Sequence, residues 1–329
     1  MTGDVTQVDQ LTSAQVAGVL DLVAAAADND GVAPLSEHGM LHVRHSTPGQ
    51  GHDVIITGDD GTIAGYAYRD PPAPDATTPD ATAPDPDAGE QAAELVVHPA
   101  YRRRGLGTAL IAALDGAAAR HPLLLWAHGD LPPAVALASA AGFERSRALW
   151  QLRRSLSDPL PELEFPQHMQ LRTFRVGQDE EQWLRLNGRA FAKHPEQGGW
   201  TSKDLELREQ EPWFDPKGFF IATREPAGAM AGFHWTKIHP NGLGEVYVVG
   251  IDPDAQGSGL GRALTLAGLH YLRKRGLSQV MLYVDEENTA AIGMYQKLGF
   301  TRWHTDAMYR RPAGANSAGA NSAGANSGR

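Results

Sequence analysis

Residues 245–261 read E-V-Y-V-V-G-I-D-P-D-A-Q-G-S-G-L-G, and the rest of the chain is arranged around them. Val246, Val248 and Val249 are β-branched and Tyr247 is aromatic, the types that suit a pleated, buried strand. Asp252-Pro253 marks a turn. Gly257, Gly259 and Gly261 then allow a backbone to come close to a ligand. From Leu264 to Leu272 the apolar residues recur at helical period. A strand, a glycine loop and a helix N-terminus together suit a phosphate. The first N–H groups of the helix lack intrahelical acceptors, and the helix dipole favours an anion. A plain glycine-rich turn is the alternative.

The spacing is not G-x-x-x-x-G-K-[ST], which argues against a P-loop. It is not G-x-G-x-x-G either, and no acidic residue ends a following strand as a dinucleotide site requires. Q-G-S-G-L-G (256–261) instead resembles the Q/R-x-x-G-x-G/A pyrophosphate loop of the GNAT acetyltransferases, which hold coenzyme A.

At 329 residues the chain has room for two domains. A net charge of -10, from 29 basic and 39 acidic residues, argues against a nucleic-acid or anionic-membrane binder. No run of about 18 apolar residues is present, so no membrane span is expected. Met1 to Gln10 is polar and acidic, unlike a signal peptide, and a cytoplasmic location is expected. The absence of cysteine removes disulfides, thiolate metal sites and a covalent cysteine intermediate. His194 and His239 show no paired metal-ligand spacing; they read as exposed loop histidines, and no metal is expected.

Residues 94–107, E-L-V-V-H-P-A-Y-R-R-R-G-L-G, repeat the pattern. Pro99 lies over Pro253, Gly105 over Gly259 and Gly107 over Gly261, an offset of 154. Farther on, Ala141-Gly142-Phe143 lies over Leu298-Gly299-Phe300, an offset of 157. Between them, Leu110–Ala119 matches Leu264–Leu272 as helices, and Leu123–Ala127 matches Val280–Val284 as strands. This is an internal duplication of two like domains. Val5–Ala26 reads as a helix capped by Thr12 or Ser13. His52–Ile56 and Ile63–Tyr68 read as a hairpin, as do Phe219–Thr223 and Met230–Thr236. Gln178–Phe191 and Leu205–Gln210 read as helices, and Trp303–Arg310 as the last strand. Residues 70–89, rich in Pro and Asp, read as a disordered insertion. Residues 1–157 form the expected first domain, 158–168 a proline-punctuated linker and 169–312 the second domain. The A-G-A-N-S repeats of 313–329 read as a disordered tail.

Both halves are similar to GNAT domains. Four stretches narrow this: A-F-A-K-H-P-E-Q-G-G-W-T (190–201), H-W-T-K-I-H-P (234–240), G-E-V-Y-V-V-G-I-D-P (244–253) and L-Y-V-D-E-E-N-T-A-A-I-G-M-Y-Q-K-L-G-F (282–300). Together they resemble the mycothiol synthase family of tandem GNAT acetyltransferases. The resemblance implies an α/β fold of two GNAT domains, each a mixed, mostly antiparallel sheet flanked by helices. It implies acetyl transfer from acetyl-CoA, a co-substrate and not a resident cofactor, to the cysteine amine of cysteinyl-glucosaminyl-inositol. Chemistry is expected in the second domain, with direct attack in a ternary complex, in a monomer.

Glu245 begins the central strand. Strand alternation places it on one face with Tyr247 and Val249. With the resemblance, it is expected to act as general base or amine holder; by itself it reads as an exposed strand-end carboxylate. Tyr295 is expected to give a proton to the departing sulfur; the alternative is a packing aromatic. At the 154 offset Glu245 lies over Gln91. At the 157 offset Tyr295, Tyr283 and Asn288 lie over Ala138, Trp126 and Leu131. The resemblance points to Glu37, Glu196, Lys237, Glu245 and Tyr283 for the acceptor. For acetyl-CoA it points to Val249, Gly250 and Ile251, then Gln256, Gly257, Ser258, Gly259, Leu260, Gly261 and Arg262, then Asn288, Thr289, Ala290, Ala291, Ile292 and Gly293. The counterparts in the first domain are Leu95, Val96, Val97, Arg103, Arg104, Gly105, Leu106, Gly107 and Thr108. Arg102 joins Arg103 and Arg104 in a basic triplet beside that loop, which could also be a solvated patch. Two other functions stay open: a tandem GNAT enzyme acting on an aminoglycoside or a protein N-terminus, and a non-catalytic acetyl-CoA-binding regulator.

Overall fold

The computed structural model describes residues 4–45, 51–71, 89–118, 121–226 and 228–312, with only the backbone described for 116–118, 195 and 196. Residues 72–88 of the insertion and the repeats of 313–329 lie outside the described residues.

The first half runs β1 (Asp4–Val8), α1 (Ser13–Asp30), α2 (Glu37–His45), β2 (His52–Thr57), β3 (Ile63–Arg69), β4 (Gln91–Val97), α3 (Leu106–Ala118), β5 (Leu123–Ala127), α4 (Pro132–Ala140) and β6 (Glu144–Ser155). The second runs β7 (Met169–Thr173), α5 (Glu180–Ala190), α6 (Pro195–Gly198), α7 (Ser202–Glu209), β8 (Phe219–Arg224), β9 (Met230–Ile238), β10 (Gly244–Ile251), α8 (Leu260–Lys274), β11 (Gln279–Asp285), α9 (Thr289–Lys297) and β12 (Thr301–Arg311).

The chain forms two compact units, Met1–Ala148 with Thr305–Arg329, and Leu149–His304. These bounds differ from the expected division at 157 and 169. The second part of β12, Ala307–Arg311, pairs with β5 in the first unit. The second part of β6, Leu149–Ser155, pairs with β11 in the second. Each unit thus includes the closing strand of the other repeat, which covers an edge that would otherwise present unpaired backbone. Residues 158–168 belong to the second unit, where Leu160 and Phe165 pack on its core and His270 Nε2 donates to the Pro161 carbonyl at 2.9 Å.

In the first unit the strand order is β1-β2-β3-β4-β5-β12; in the second it is β6-β11-β10-β9-β8-β7. The pairs β4·β5 and β10·β11 are parallel, and the other pairs described are antiparallel. Two apolar clusters lie on opposite faces of the second sheet. On one, Val246, Val280, Leu282 and Val284 pack with Leu266, Leu269 and Leu272 of α8 and Ile292 and Tyr295 of α9. On the other, Phe219, Phe233, Trp235 and Val248 pack with Trp183 and Leu186 of α5. Each large side chain buried there contributes about 1.5–3 kcal/mol.

The helix expected over Val5–Ala26 divides. Val5–Val8 lies in β1, paired with β2. Thr12 then opens α1 with a capping box: its Oγ1 accepts from Gln15 N, and Gln15 Oε1 accepts from Thr12 N. The cap fixes where the helix can start, which apolar spacing alone does not.

Candidate active site

The strands β10 and β11 pair at Gly244↔Val280 and Glu245↔Met281, and no later pair is found among the described residues. Both strands continue, to Ile251 and to Asp285. They therefore open into a V, with Glu245 at its vertex.

The antiparallel register of β10 with β9 shifts between Val246 and Val248, which marks a β-bulge at Tyr247. A bulge puts two residues against one and breaks the alternation of faces. Val246 and Val249, three positions apart, pack on the same α8 cluster. Tyr247 and Val248, adjacent in sequence, pack on the same aromatic cluster. Glu245 lies opposite Lys237, whose Nζ sits 4.5 Å from the Trp213 ring centroid and 5.2 Å from that of Tyr247. Glu245 and Tyr247 thus share the aromatic face as expected. Val249 does not, because the extra residue turns it to the other face.

The bulge also corrects the pairing of the repeats. In the first unit β4 pairs with β5 at Gln91↔Leu123, Ala92↔Leu124 and Ala93↔Leu125, and its register with β3 has no shift. The partner of Glu245, Met281, corresponds to Leu124 at the 157 offset, so Glu245 stands where the first unit has Ala92, not Gln91.

Glu245 is 7% exposed, and its Oε2 lies 2.7 Å from His239 Nε2. His239 sits in the turn between β9 and β10, where its own N–H donates to Leu243 O and its carbonyl accepts from Gly242 N. On the same face, Arg208 Nε donates to the Tyr247 hydroxyl at 2.8 Å, and the Arg208 guanidinium stacks 3.8 Å from the Trp200 ring centroid. Tyr283 follows Met281 by two positions and so shares its face. It is 40% exposed, and its hydroxyl accepts from Gln151 Nε2 at 2.9 Å. Gln151 Oε1 in turn accepts from Arg153 Nε at 2.7 Å. The structure thus brings Glu245, Lys237 and Tyr283 onto one sheet face. Glu196 lies in α6, and its side chain is outside the described residues. Glu37 opens α2 in the first unit.

Tyr295 lies on the opposite face, packed with Val246 and Val284 and edge-on to Phe300 at 5.7 Å. Burial pushes its hydroxyl up to about 12. Asn288 caps α9, its Oδ1 accepting from Ala291 N at 3.1 Å. Thr289 and Ala290 are exposed, Ala291 is half-buried and Ile292 buried; a Cβ at Gly293 would meet no atom within 4 Å.

The glycine loop follows β10. Gly257 has φ 77° and Gly259 φ 85°, the left-handed region that favours glycine. Gly259 is the N-cap of α8 and supplies no side chain to its first turn. Gln256, Ser258 and Arg262 are exposed, Leu260 is buried, and Ser258 Oγ donates to Ala255 O at 2.7 Å. A Cβ at Gly261 would make only ordinary contacts, 3.6 Å to Ile251 and 3.9 Å to Met294, so the protein's own packing does not demand glycine there. Gly250 is different: a Cβ would come 2.4 Å from the Phe233 ring.

The first unit keeps this loop. Arg103, at φ 62°, stands where the second unit has Gly257, and Gly105, at φ 82°, where it has Gly259. A non-glycine in that region costs about 1–2 kcal/mol. Leu95 and Val97 pack toward α3 and Val96 toward α1, while Leu106 is buried, Gly107 packs against Leu137 and Thr108 is exposed. Arg102 is engaged elsewhere, bidentate to Asp30 at 2.7 Å with its Nε on Val97 O. Arg104 donates to Ala100 O, and Arg103 is exposed. Only two of the three arginines thus remain to face a phosphate.

Where β5 ends, the first unit holds a buried cluster. His128 Nδ1 lies 2.9 Å from Asp306 Oδ2, and Nε2 lies 3.4 Å from Glu94 Oε1. Burial alone would lower the imidazole, but the bonds to Asp306 and Glu94 raise it to about 10. Ser36 N donates to Glu94 Oε2 at 2.9 Å, and Gly129 N to Asp306 Oδ1 at 2.8 Å.

Sequence reasoning read His239 as an exposed loop histidine, whereas it is half-buried and bonded to Glu245, and it missed Arg208, Gln151 and Arg153 as neighbours of the candidates. His239 had a signal: it lies six positions before Glu245 with a short polar turn between, the spacing that brings hairpin residues together. Gln151 and Arg153 had none, since β6 reaches β11 from across the repeat.

Comparison with known proteins agrees with this arrangement. Residues 181–300 match the model of the acetyltransferase (GNAT) family, and residues 50–145 match that of the acetyltransferase (GNAT) domain. The chain is 54% identical over 305 residues to the mycothiol acetyltransferase of Thermomonospora curvata, covering 92% of this chain and 96% of the relative. It is 53% identical over 299 residues to that of Thermobispora bispora, covering 89% and 95%. Among solved structures, a tandem GNAT protein from the clavulanic acid biosynthesis pathway shares the fold with TM-score 0.71 at 21% identity, covering 95% of this chain and 99% of that one. Two GNAT halves, a V opening at Glu245 and relatives alike along nearly their whole length lead to one conclusion: the chain belongs to the mycothiol acetyltransferases, tandem members of the GNAT family.

Proposed function

We propose that the protein transfers the acetyl group of acetyl-CoA to the cysteine amine of cysteinyl-glucosaminyl-inositol, the last step in making mycothiol, and that the second unit carries the reaction. The observation that carries this reading is the place of Glu245, buried at the vertex where β10 and β11 part. Gln256 to Arg262 and the uncapped first turn of α8 suit the pyrophosphate. The opened backbone of Val249, Gly250 and Ile251 suits the pantetheine amides and the thioester carbonyl, as an oxyanion site would. Asn288 to Gly293 would border the sulfur end. In the first unit Leu95 to Val97 and Arg103 to Thr108 would hold a second acetyl-CoA. Lys237 and Tyr283 share the face of Glu245 and suit a polyhydroxylated acceptor. Glu37 and Glu196 stand in the proposal on the family resemblance.

The acceptor enters as an ammonium. Glu245 takes one proton, and the neutral amine attacks the thioester carbon. The carbon–sulfur bond then breaks, leaving a thiolate and an amide nitrogen with one proton to lose. That proton can neutralise the thiolate. A cysteine-type thiol has a pKa of about 8.5. The Tyr295 hydroxyl, at about 12, is the weaker acid. Tyr295 therefore serves as a hydrogen-bond donor to the sulfur, and complete proton transfer from it is not needed. Replacing Tyr295 with Phe is expected to lower kcat about 10- to 100-fold, the scale of a lost charge-stabilising bond, with KM for acetyl-CoA little changed. Because its hydroxyl stays protonated to about pH 12, no alkaline loss of rate near pH 10 should trace to Tyr295. A pH–rate profile that loses such a limb in the Phe variant would contradict this.

The reading also takes the enzyme as a cytoplasmic monomer with no resident cofactor. Coenzyme A release measured with cysteinyl-glucosaminyl-inositol, and with glucosaminyl-inositol lacking cysteine, tests the whole proposal. Turnover is expected with the first acceptor alone. No turnover with it would leave a GNAT enzyme for another amine.

A further inference from the structure

The carboxylate at the vertex of the V is not alone. His239 Nε2 lies 2.7 Å from Glu245 Oε2, across a turn closed by His239 N on Leu243 O and Gly242 N on His239 O, both at 2.9 Å. The two ends of the pair differ in exposure: the Glu245 side chain is 9% exposed and that of His239 26%. A carboxylate this buried gains from a donor that satisfies one of its oxygens. It also has a torsional freedom that a base at a fixed reaction centre must lose.

We propose that His239 is a positioning residue for the acetyl transfer: its Nε2–H holds Oε2 of Glu245 and so presents Oε1 to the acceptor ammonium. This rests on the reading of Glu245 as the base. The geometry is specific to this function in three ways. The turn that carries His239 joins β9 directly to β10 and is closed by two backbone hydrogen bonds, which hold the His239 backbone next to the strand that carries Glu245. The pair sits at the last paired residue before the V, where a change in the carboxylate's rotamer would move it away from the opening. The first unit has Ala92 at the position of Glu245, so there the carboxylate and its histidine bond are missing together. Among the described residues, the charged groups on this face include Lys237, on β9 opposite Glu245, and Arg208, which reaches the same face through Tyr247. Lys237 is itself held over Trp213 and Tyr247, and Arg208 over Trp200.

His239→Ala is expected to lower kcat about 10- to 100-fold, the cost of a misplaced reacting group, with KM for acetyl-CoA within about twofold of the parent. His239→Gln keeps an N–H donor at a similar reach and is expected to recover most of the rate. In a Glu245→Gln background, His239→Ala should cost nothing further, because residues that act as one unit are not additive. A wild-type kcat in His239→Ala would overturn the proposal, and so would full additivity in the double variant. One arm does not depend on the acceptor. The imidazole Nε2–H should appear as a slowly exchanging resonance in the proton spectrum of the whole protein and vanish in Glu245→Leu. If that signal is present while no acceptor is turned over, the bond stands and the functional reading fails. If it is absent in the wild type, the positioning proposal itself fails.

Discussion

Replacing Glu245 with Gln is expected to lower kcat about 10²- to 10⁴-fold, the usual range for removing a general base, while acetyl-CoA still binds. Gln has nearly the same size and its side-chain oxygen can still accept from His239, so the turn and the bulge keep their form. What it loses is the capacity to take a proton. The acceptor then depends on the small fraction of amine that is already neutral. An α-amine has a pKa of about 7.7–8.0, so the fraction rises with pH and the variant should recover rate as pH rises from about 6 to 9. The wild type should show a weaker dependence over that span. KM for acetyl-CoA should stay within about threefold, because the pyrophosphate loop at 256–262 and the opened strand at 249–251 are untouched. Steady-state rates at several pH values, with acetyl-CoA binding followed separately by calorimetry, test both halves. A variant with the parent kcat would remove Glu245 from the chemistry. One that fails to bind acetyl-CoA would make it a structural residue of the V.

The glycine loop and the duplication could be read from sequence because short-range spacing carries both. Gly257 and Gly259 need positive φ, and Arg103 and Gly105 occupy the same conformations in the first repeat. The aromatic and β-branched run of 246–249 announces a strand, but it cannot announce the bulge within it. That feature arises from pairing with β9, and it sends Val249 to the face opposite Glu245. The same one-residue insertion changes the offset from 154 beyond the bulge to 153 before it, so simple alignment put Gln91 where the sheet puts Ala92. The basic triplet shows a second limit. Composition counts three arginines near a phosphate loop, whereas the fold pairs Arg102 with Asp30, a residue seventy-two positions earlier. The Tyr283–Gln151–Arg153 chain was illegible for a similar reason: β6 belongs to the first repeat in sequence and to the second unit in space.

In the first unit, His128→Leu is expected to destabilise by about 3–5 kcal/mol, the cost of removing one partner from a buried ion pair. His128 follows β5, Glu94 lies on β4 and Asp306 on β12, so the imidazolium joins three strands whose carboxylates would otherwise face each other without a cation. At this size of domain the loss lowers the melting midpoint of the first unit by about 6–20 °C, taking about 2–4 °C per kcal/mol. The sign of the pH dependence follows from the direction of each shift. The folded pKa of His128, about 10, lies above the ordinary imidazole value near 6.5. The stabilisation that His128 contributes is therefore complete below about pH 6.5 and is lost as pH rises through about 10. Glu94 works at the other end. Burial would raise it, but its bonds to His128 and to Ser36 hold it below the usual carboxylate value, so its share is lost as the solution is acidified. The wild-type midpoint should fall between pH 7 and 10, and His128→Leu should flatten that fall. Adding Glu94→Gln and Asp306→Asn to His128→Leu removes the uncompensated charges and should restore most of the loss. Because Glu245 and Tyr295 belong to the second unit, kcat per active enzyme should be unchanged at temperatures below the new midpoint. Melting curves at pH 7 and 10 for the three proteins test this, and an unchanged midpoint in His128→Leu would show that the cluster contributes no stability.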